Sequence, residues 1–185
     1  IYSVKSGKFR VYVVMTGLVY CGIYAAVIFA SYASKDVVHA AVFPGKGSCT
    51  AVIYQDGDAF VIDLKSKGEY VATVQNFGAY YGIERIAAAF IYSGADYTQS
   101  VYDASLLPKP EAYYSQSETA QSGLIPLETS ASLHSFTVTA TEEGYILSAY
   151  GNSLELYDDT LKINGREYYL SHYESQMMIF SLGAE

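Results

Sequence analysis

Val11–Ser34 carries no charged residue and is rich in Val, Ile, Leu, Ala and Tyr. As a helix this run is roughly 36 Å long, against a hydrocarbon layer of roughly 30 Å. It has no polar stripe, so it does not read as a surface helix of a globular domain. Tyr12 and Tyr32 stand near its two ends, where aromatic belts form. Gly17 and Gly22 permit close helix contact, although not at the GxxxG spacing. The run predicts a transmembrane helix over 11–34. Two other readings are a buried core helix and a signal peptide cut after Ala33, where Ser31 and Ala33 are suitably small. Lys5, Lys8 and Arg10 precede the run, and Lys35 and Asp36 follow it. The positive-inside bias makes 1–10 a cytoplasmic flank and places 36–185 outside the cytoplasm. The expected location is therefore the cell membrane, with a single helix and an extracytoplasmic C-terminal domain. Ile1 in place of a start methionine suggests a fragment or a processed chain.

Charge narrows the partners. From Asp36 onward 7 basic residues face 19 acidic ones, a net −12. Such a surface repels a phosphate backbone, so direct DNA binding is not expected. No basic patch interleaved with aromatic residues is present, as single-strand binders require. Cys21 lies in the apolar run and Cys49 in the domain, which gives no disulfide framework. Tyrosine is abundant, at 20 residues, and suits strands and half-buried surfaces.

The domain opens with β-prone runs. Val37–Phe43 and Cys49–Tyr54 flank the turn Pro44–Ser48, and Asp56-Gly57 signals a hairpin into Ala59–Leu64. Gly45-Lys46-Gly47-Ser48 lacks the spacing of a phosphate loop. Within Glu69–Tyr81, Val71, Val74, Phe77 and Tyr81 fall near helical spacing, with Gly82 as C-cap. Ile86–Tyr92 is an apolar strand read as buried on both faces, and a short turn then leads to a helix. Pro108 and Pro110 stop that helix. Ala112–Tyr114 reads as a short strand and Ser115–Gly123 as a surface loop. From Ser135 the pattern is β. Phe136, Val138 and Ala140 alternate with threonines, and turns follow at Glu142–Gly144, Gly151-Asn152 and Asn164-Gly165 before a last strand, Met177–Leu182.

Several of these segments carry family-specific residues. They are Val38–Phe43, the Gly45-Lys46-Gly47 turn, Val61-Ile62-Asp63, Gly82-Ile83-Glu84-Arg85-Ile86 and Asn152-Ser153-Leu154. In this order they resemble the extracytoplasmic β-lactamase-like domain of the ComEC-type DNA-internalisation proteins, best over Val37–Tyr114 and weakly in the tail. The resemblance implies an α/β fold: a metallo-β-lactamase-like αββα sandwich, truncated, preceded by one transmembrane helix. In that family a buried strand leads into Thr-His-x-Asp-x-Asp-His. Here the aligned residues are Ser93-Gly94-Ala95-Asp96-Tyr97-Thr98-Gln99. Gly94 stands at the first histidine and Thr98-Gln99 at the later Asp-His pair, so only Asp96 matches.

A catalytic metal needs about three protein ligands and an open position for water. Asp63, Gly94, Asp96, Thr98 and Gln99 therefore form at most a vestigial site, with no metal, no cofactor and no catalytic residue expected. His39, His134 and His172 are isolated from one another. Cys49 has His39 nearby in sequence, but a nucleophile pair requires spatial contact. Asp56, Asp58 and Asp63 fail the EF-hand spacing, and Asp158-Asp159 reads as a solvated loop. The resemblance thus implies a non-catalytic domain of a ComEC-type DNA-uptake protein, with a structural or docking role beside the membrane and the other components of the apparatus. The alternatives are a membrane-anchored extracytoplasmic binding domain unrelated to DNA uptake, and a metal-dependent hydrolase or nuclease with unrecognised ligands.

Overall fold

The computed structural model describes residues 7–33, 37–92, 95–115, 125–126, 130–174 and 176–183, without the side chains at 7–13, 28–33, 95–96 and 126. The chain divides into two units, Ile1–Asp36 and Val37–Glu185.

The first unit holds helix α1, Gly7–Ala33. Its described side chains, 14–27, are exposed. The apolar run was expected to cross a membrane, and here the structure corrects the sequence reading. Among the described residues no helix is long and apolar enough to do so. The single-helix placement in the cell membrane, with an extracytoplasmic domain, falls with that helix.

The second unit is mostly β. Strands β1 (Val37–Gly45), β2 (Ser48–Gln55) and β3 (Asp58–Leu64) form an antiparallel meander. Helix α2 (Val71–Tyr81) then crosses over to β4 (Arg85–Ile91), which pairs parallel to β3. Helix α3 (Ala95–Ser105) leads to the parallel strands β5 (Tyr113–Ser115) and β6 (Ile125–Pro126). Six antiparallel strands follow as a second meander: β7 (Ser130–Leu133), β8 (Phe136–Ala140), β9 (Gly144–Ala149), β10 (Asn152–Tyr157), β11 (Thr160–Ile163) and β12 (Arg166–Tyr169). A 3-10 turn at Leu170–Tyr173 returns the chain to β13 (Met178–Gly183), which pairs with β1. The sheet orders are β13-β1-β2-β3-β4-β5-β6 and β12-β11-β10-β9-β8-β7.

Side-chain alternation sorts the core into two layers. Val38, Ala40 and Val42 of β1, Ala51 and Ile53 of β2, Phe60 and Ile62 of β3 and Phe90 of β4 face the second sheet. There they meet Phe136, Val138, Leu147, Leu154, Leu156 and Leu161. The opposite face carries Ala41, Phe43, Val52, Val61, Ala89 and Ile91, packed with Val74 and Phe77 of α2, Tyr102 of α3 and Leu106 just after it. The first sheet is thus covered on both sides, which is why its strands read as nearly continuous apolar runs.

The second sheet is covered on one side only. Its other face presents Thr137, Thr139, Ser148, Ser153, Glu155 and Lys162, which are half-buried or exposed. These residues offer no apolar stripe for a helix to cover. The expected αββα sandwich is therefore corrected. Among the described residues the unit is helices, sheet, sheet, with no outer helical layer and no transmembrane helix before it.

The hairpin signals are explained by backbone conformation. Asp56 and Gly57 have φ of 52° and 84°, and Asn164 and Gly165 have 48° and 81°. Both central residues in the left-handed region make the type I′ turn that matches strand twist. Tyr150 and Gly151 do the same at 48° and 77°, one residue earlier than the Gly151-Asn152 turn read from sequence. Gly82, in the left-handed region, caps α2 as expected.

Candidate functional site

At the rim where β3 and β4 leave the sheet, four hydrogen bonds converge on one carboxylate. Asp63 lies on β3 and is buried. The three residues 65, 67 and 68 that follow have φ of 63°, 55° and 78°, which curls the loop back over the strand end. Ser66 and Lys67 donate their N–H groups to Asp63 Oδ1 at 2.8 and 3.1 Å. Gly68 N–H and Tyr102 Oη donate to Oδ2 at 2.8 and 3.0 Å. Thr50 Oγ1 and Ser66 Oγ, 2.8 Å apart, tie the same loop to β2. A carboxylate has about four lone-pair directions, so Asp63 is fully engaged by protein donors. Burial, then the Asp63 charge, pushes the Tyr102 phenol well above its usual range, so it stays a donor. Tyr102→Phe removes one bond to a buried carboxylate. It is expected to lower the unfolding free energy by about 1.5–2 kcal/mol, read from urea denaturation followed by circular dichroism.

Gly94 and the side chain of Asp96 lie outside the described residues. Thr98 is buried near the start of α3, and Gln99 beside it is half-buried. Among the described residues no group of three or more His, Cys, Asp and Glu side chains could hold a metal ion.

The histidines stand apart. His39 on β1 stacks on Tyr54 and lies 3.1 Å from Ser181 Oγ, and burial lowers its pKa. His134, in the turn between β7 and β8, meets Asp58 Oδ2 at 2.8 Å. His172 lies beside Tyr169. Cys49 is buried at the start of β2, paired in register with Pro44, whereas His39 pairs with Tyr54 five residues along. Burial, then Asp63 and Asp158, pushes the Cys49 thiol far up, so it offers no thiolate. Asp58 is taken up by Arg85 and His134, and Asp56-Gly57 is a hairpin turn.

A cavity of about 320 Å³ opens on the same rim, lined by Tyr92, Glu143, Tyr157, Asp158 and Asp159. Tyr92 follows β4, Glu143 sits in the turn before β9, Tyr157 ends β10, and Asp158 and Asp159 join it to β11. Tyr157 and Gly144 are partners across β9 and β10, which brings the two acidic turns to one edge. Gly144 fits there because the Leu156 carbonyl leaves no room for a Cβ. Lys65, from the loop that Asp63 organises, pairs with Asp158 and lies 5.1 Å from the centre of the Tyr92 ring. Lys162 lies 5.5 Å from the centre of the Tyr157 ring.

Sequence reasoning missed this cavity. It read Glu142–Gly144 as a turn and Asp158-Asp159 as a solvated loop. The available signal was that both acidic doublets fall in alternate turns of one meander, and alternate turns share an edge. A second hollow of about 260 Å³, between Phe43, Pro44, Tyr70, Thr73, Gln176 and Met177, is mainly apolar. Tyr70 uses its hydroxyl there on the Pro44 carbonyl, at 3.0 Å.

No family model matches the chain, and no curated protein matches it. The chemistry of the rim is therefore read from its own side chains: aromatic faces and carboxylates suited to binding, beside a carboxylate committed to holding a loop.

Proposed function

We propose that this chain is a non-hydrolytic docking domain, and that its setting is a DNA-uptake apparatus of the ComEC type. The observation that carries the first part is the engagement of Asp63 by four protein donors. The carboxylate at the end of β3 organises a loop and has no direction left for a metal. The setting is supported by the order of segments: two hairpins, the strand end Val61-Ile62-Asp63, α2, then Gly82–Ile86 leading into β4. Docking to protein suits the net −12 from Asp36 onward, because that surface repels DNA.

Purified full chain, incubated with zinc or manganese and either single- or double-stranded DNA, is expected to leave the DNA intact. It is also expected not to retain DNA at physiological salt. Cleavage that disappears in Asp96→Ala would sink the non-hydrolytic part. Deletion of the gene in its source organism is expected to abolish uptake of labelled DNA, and unchanged uptake would remove the setting. The acidic charge also favours a second reading, a binding domain unrelated to DNA uptake, and the same deletion separates the two.

A further inference from the structure

We propose that the rim cavity between Tyr92, Tyr157, Glu143 and Asp159 binds an organic cation, a guanidinium or alkylammonium group such as a basic side chain carries. Three observations converge on it. The cavity has two phenol rings in its walls, and a ring face attracts a cation by its quadrupole. The fold already places an ammonium near each ring, Lys65 by Tyr92 and Lys162 by Tyr157, so these walls accept positive charge in the structure itself. Of the three carboxylates in the lining, Asp158 is paired with Lys65. Glu143 and Asp159 have no cationic partner among the described residues, and both are exposed. Even with Lys65 and Lys162 over the two rings, these two carboxylates leave the lining short of positive charge, which favours a cation over an anion.

The cavity volume, about 320 Å³, admits a side chain but no folded element, so the recognised unit is a single group. Its walls come from the exit of β4 and two turns of the second sheet. Occupation would therefore join the rims of the two sheets. The assignment rests on the docking reading only for its setting. Failure of the binding experiment leaves the DNA-uptake question open, and retained DNA uptake in the deletion strain leaves the cavity intact.

The test is NMR of the full chain with labelled tyrosine rings, assigned by Tyr92→Phe and Tyr157→Phe. It is titrated with N-acetyl-arginine methylamide, with tetramethylammonium and, as the anionic control, with N-acetyl-glutamate methylamide. The arginine probe is expected to move both rings saturably, with a dissociation constant of about 1 mM, and the glutamate probe is not. Glu143→Gln combined with Asp159→Asn removes exposed charge while keeping acceptors, and should weaken binding about tenfold. Circular dichroism checks that this variant stays folded. A response to both cations assigns the cavity to organic cations in general, and a response to the arginine probe alone assigns it to a basic side chain. Absence of a saturable ring response to either cation, or a response unchanged in the double variant, would overturn the proposal.

Discussion

Replacing Asp63 with alanine is expected to lower the unfolding free energy by about 4 kcal/mol. The substitution leaves the N–H groups of Ser66, Lys67 and Gly68 and the hydroxyl of Tyr102 without the acceptor they share. Leaving a buried donor unsatisfied costs about 1–3 kcal/mol, and loop relaxation returns part of the sum. The loop carries left-handed conformations at Lys65 and Lys67, which cost non-glycine residues free energy and persist only where other bonds hold them. Loss of the carboxylate therefore releases the loop as well as the bonds. Total stabilities are about 5–15 kcal/mol, so a substantial unfolded fraction at 37 °C is expected. Asp63→Asn keeps one acceptor oxygen and should lose about 2–3 kcal/mol. Urea denaturation followed by circular dichroism separates the two.

Phe90→Ala is expected to cost about 3–5 kcal/mol for a different reason. Phe90 is fully buried between the sheets. Its ring centre lies 5.1 Å from that of Phe60, 5.3 Å from Tyr114 and 5.8 Å from Tyr145. Those neighbours come from β3, β5 and β9, so truncation leaves a hole lined by both sheets. None of the three can swing in to fill it without losing its own packing. The expected readout is a lower denaturation midpoint at unchanged slope, because the same surface unfolds. A cost below about 1 kcal/mol would mean that the inter-sheet core is less densely packed around β4 than it is here.

Much of the second unit was legible in the sequence because local chemistry dictated it. Asp56-Gly57 and Asn164-Gly165 supply the two left-handed positions that a tight hairpin needs, and both hairpins formed where expected. The alternation of Phe136 and Val138 with threonines announced a one-sided sheet. That same alternation carried the fact that was overlooked: a polar outer face leaves a fourth helical layer nothing to cover. Pairing of β13 with β1 could not be read locally, since Val38 meets Leu182 across nearly the whole unit. Hydropathy likewise described Val11–Ser34 as a membrane span, whereas among the described residues no helix is long and apolar enough to cross a membrane.

The candidate site was legible only at Asp63. A strand ending in a carboxylate can ligate a metal, cap a loop or pair with a base, and sequence does not separate these. Ser66, Gly68 and Tyr102 decide the matter by donating to it, and no ligand motif marks them. The cavity was illegible for another reason. Tyr92, Glu143 and Asp159 are distant in sequence and meet only because the two sheets stack with those turns on one rim.

Equilibrium unfolding of the full chain and of Asp63→Asn, each with chelator and with excess zinc or manganese, tests most directly whether Asp63 holds the loop and not an ion. The parent chain should show the same unfolding free energy with and without metal, and the variant should lose about 2–3 kcal/mol in both conditions. A parent chain stabilised by one bound ion, with that gain absent from a variant otherwise as stable, would contradict it.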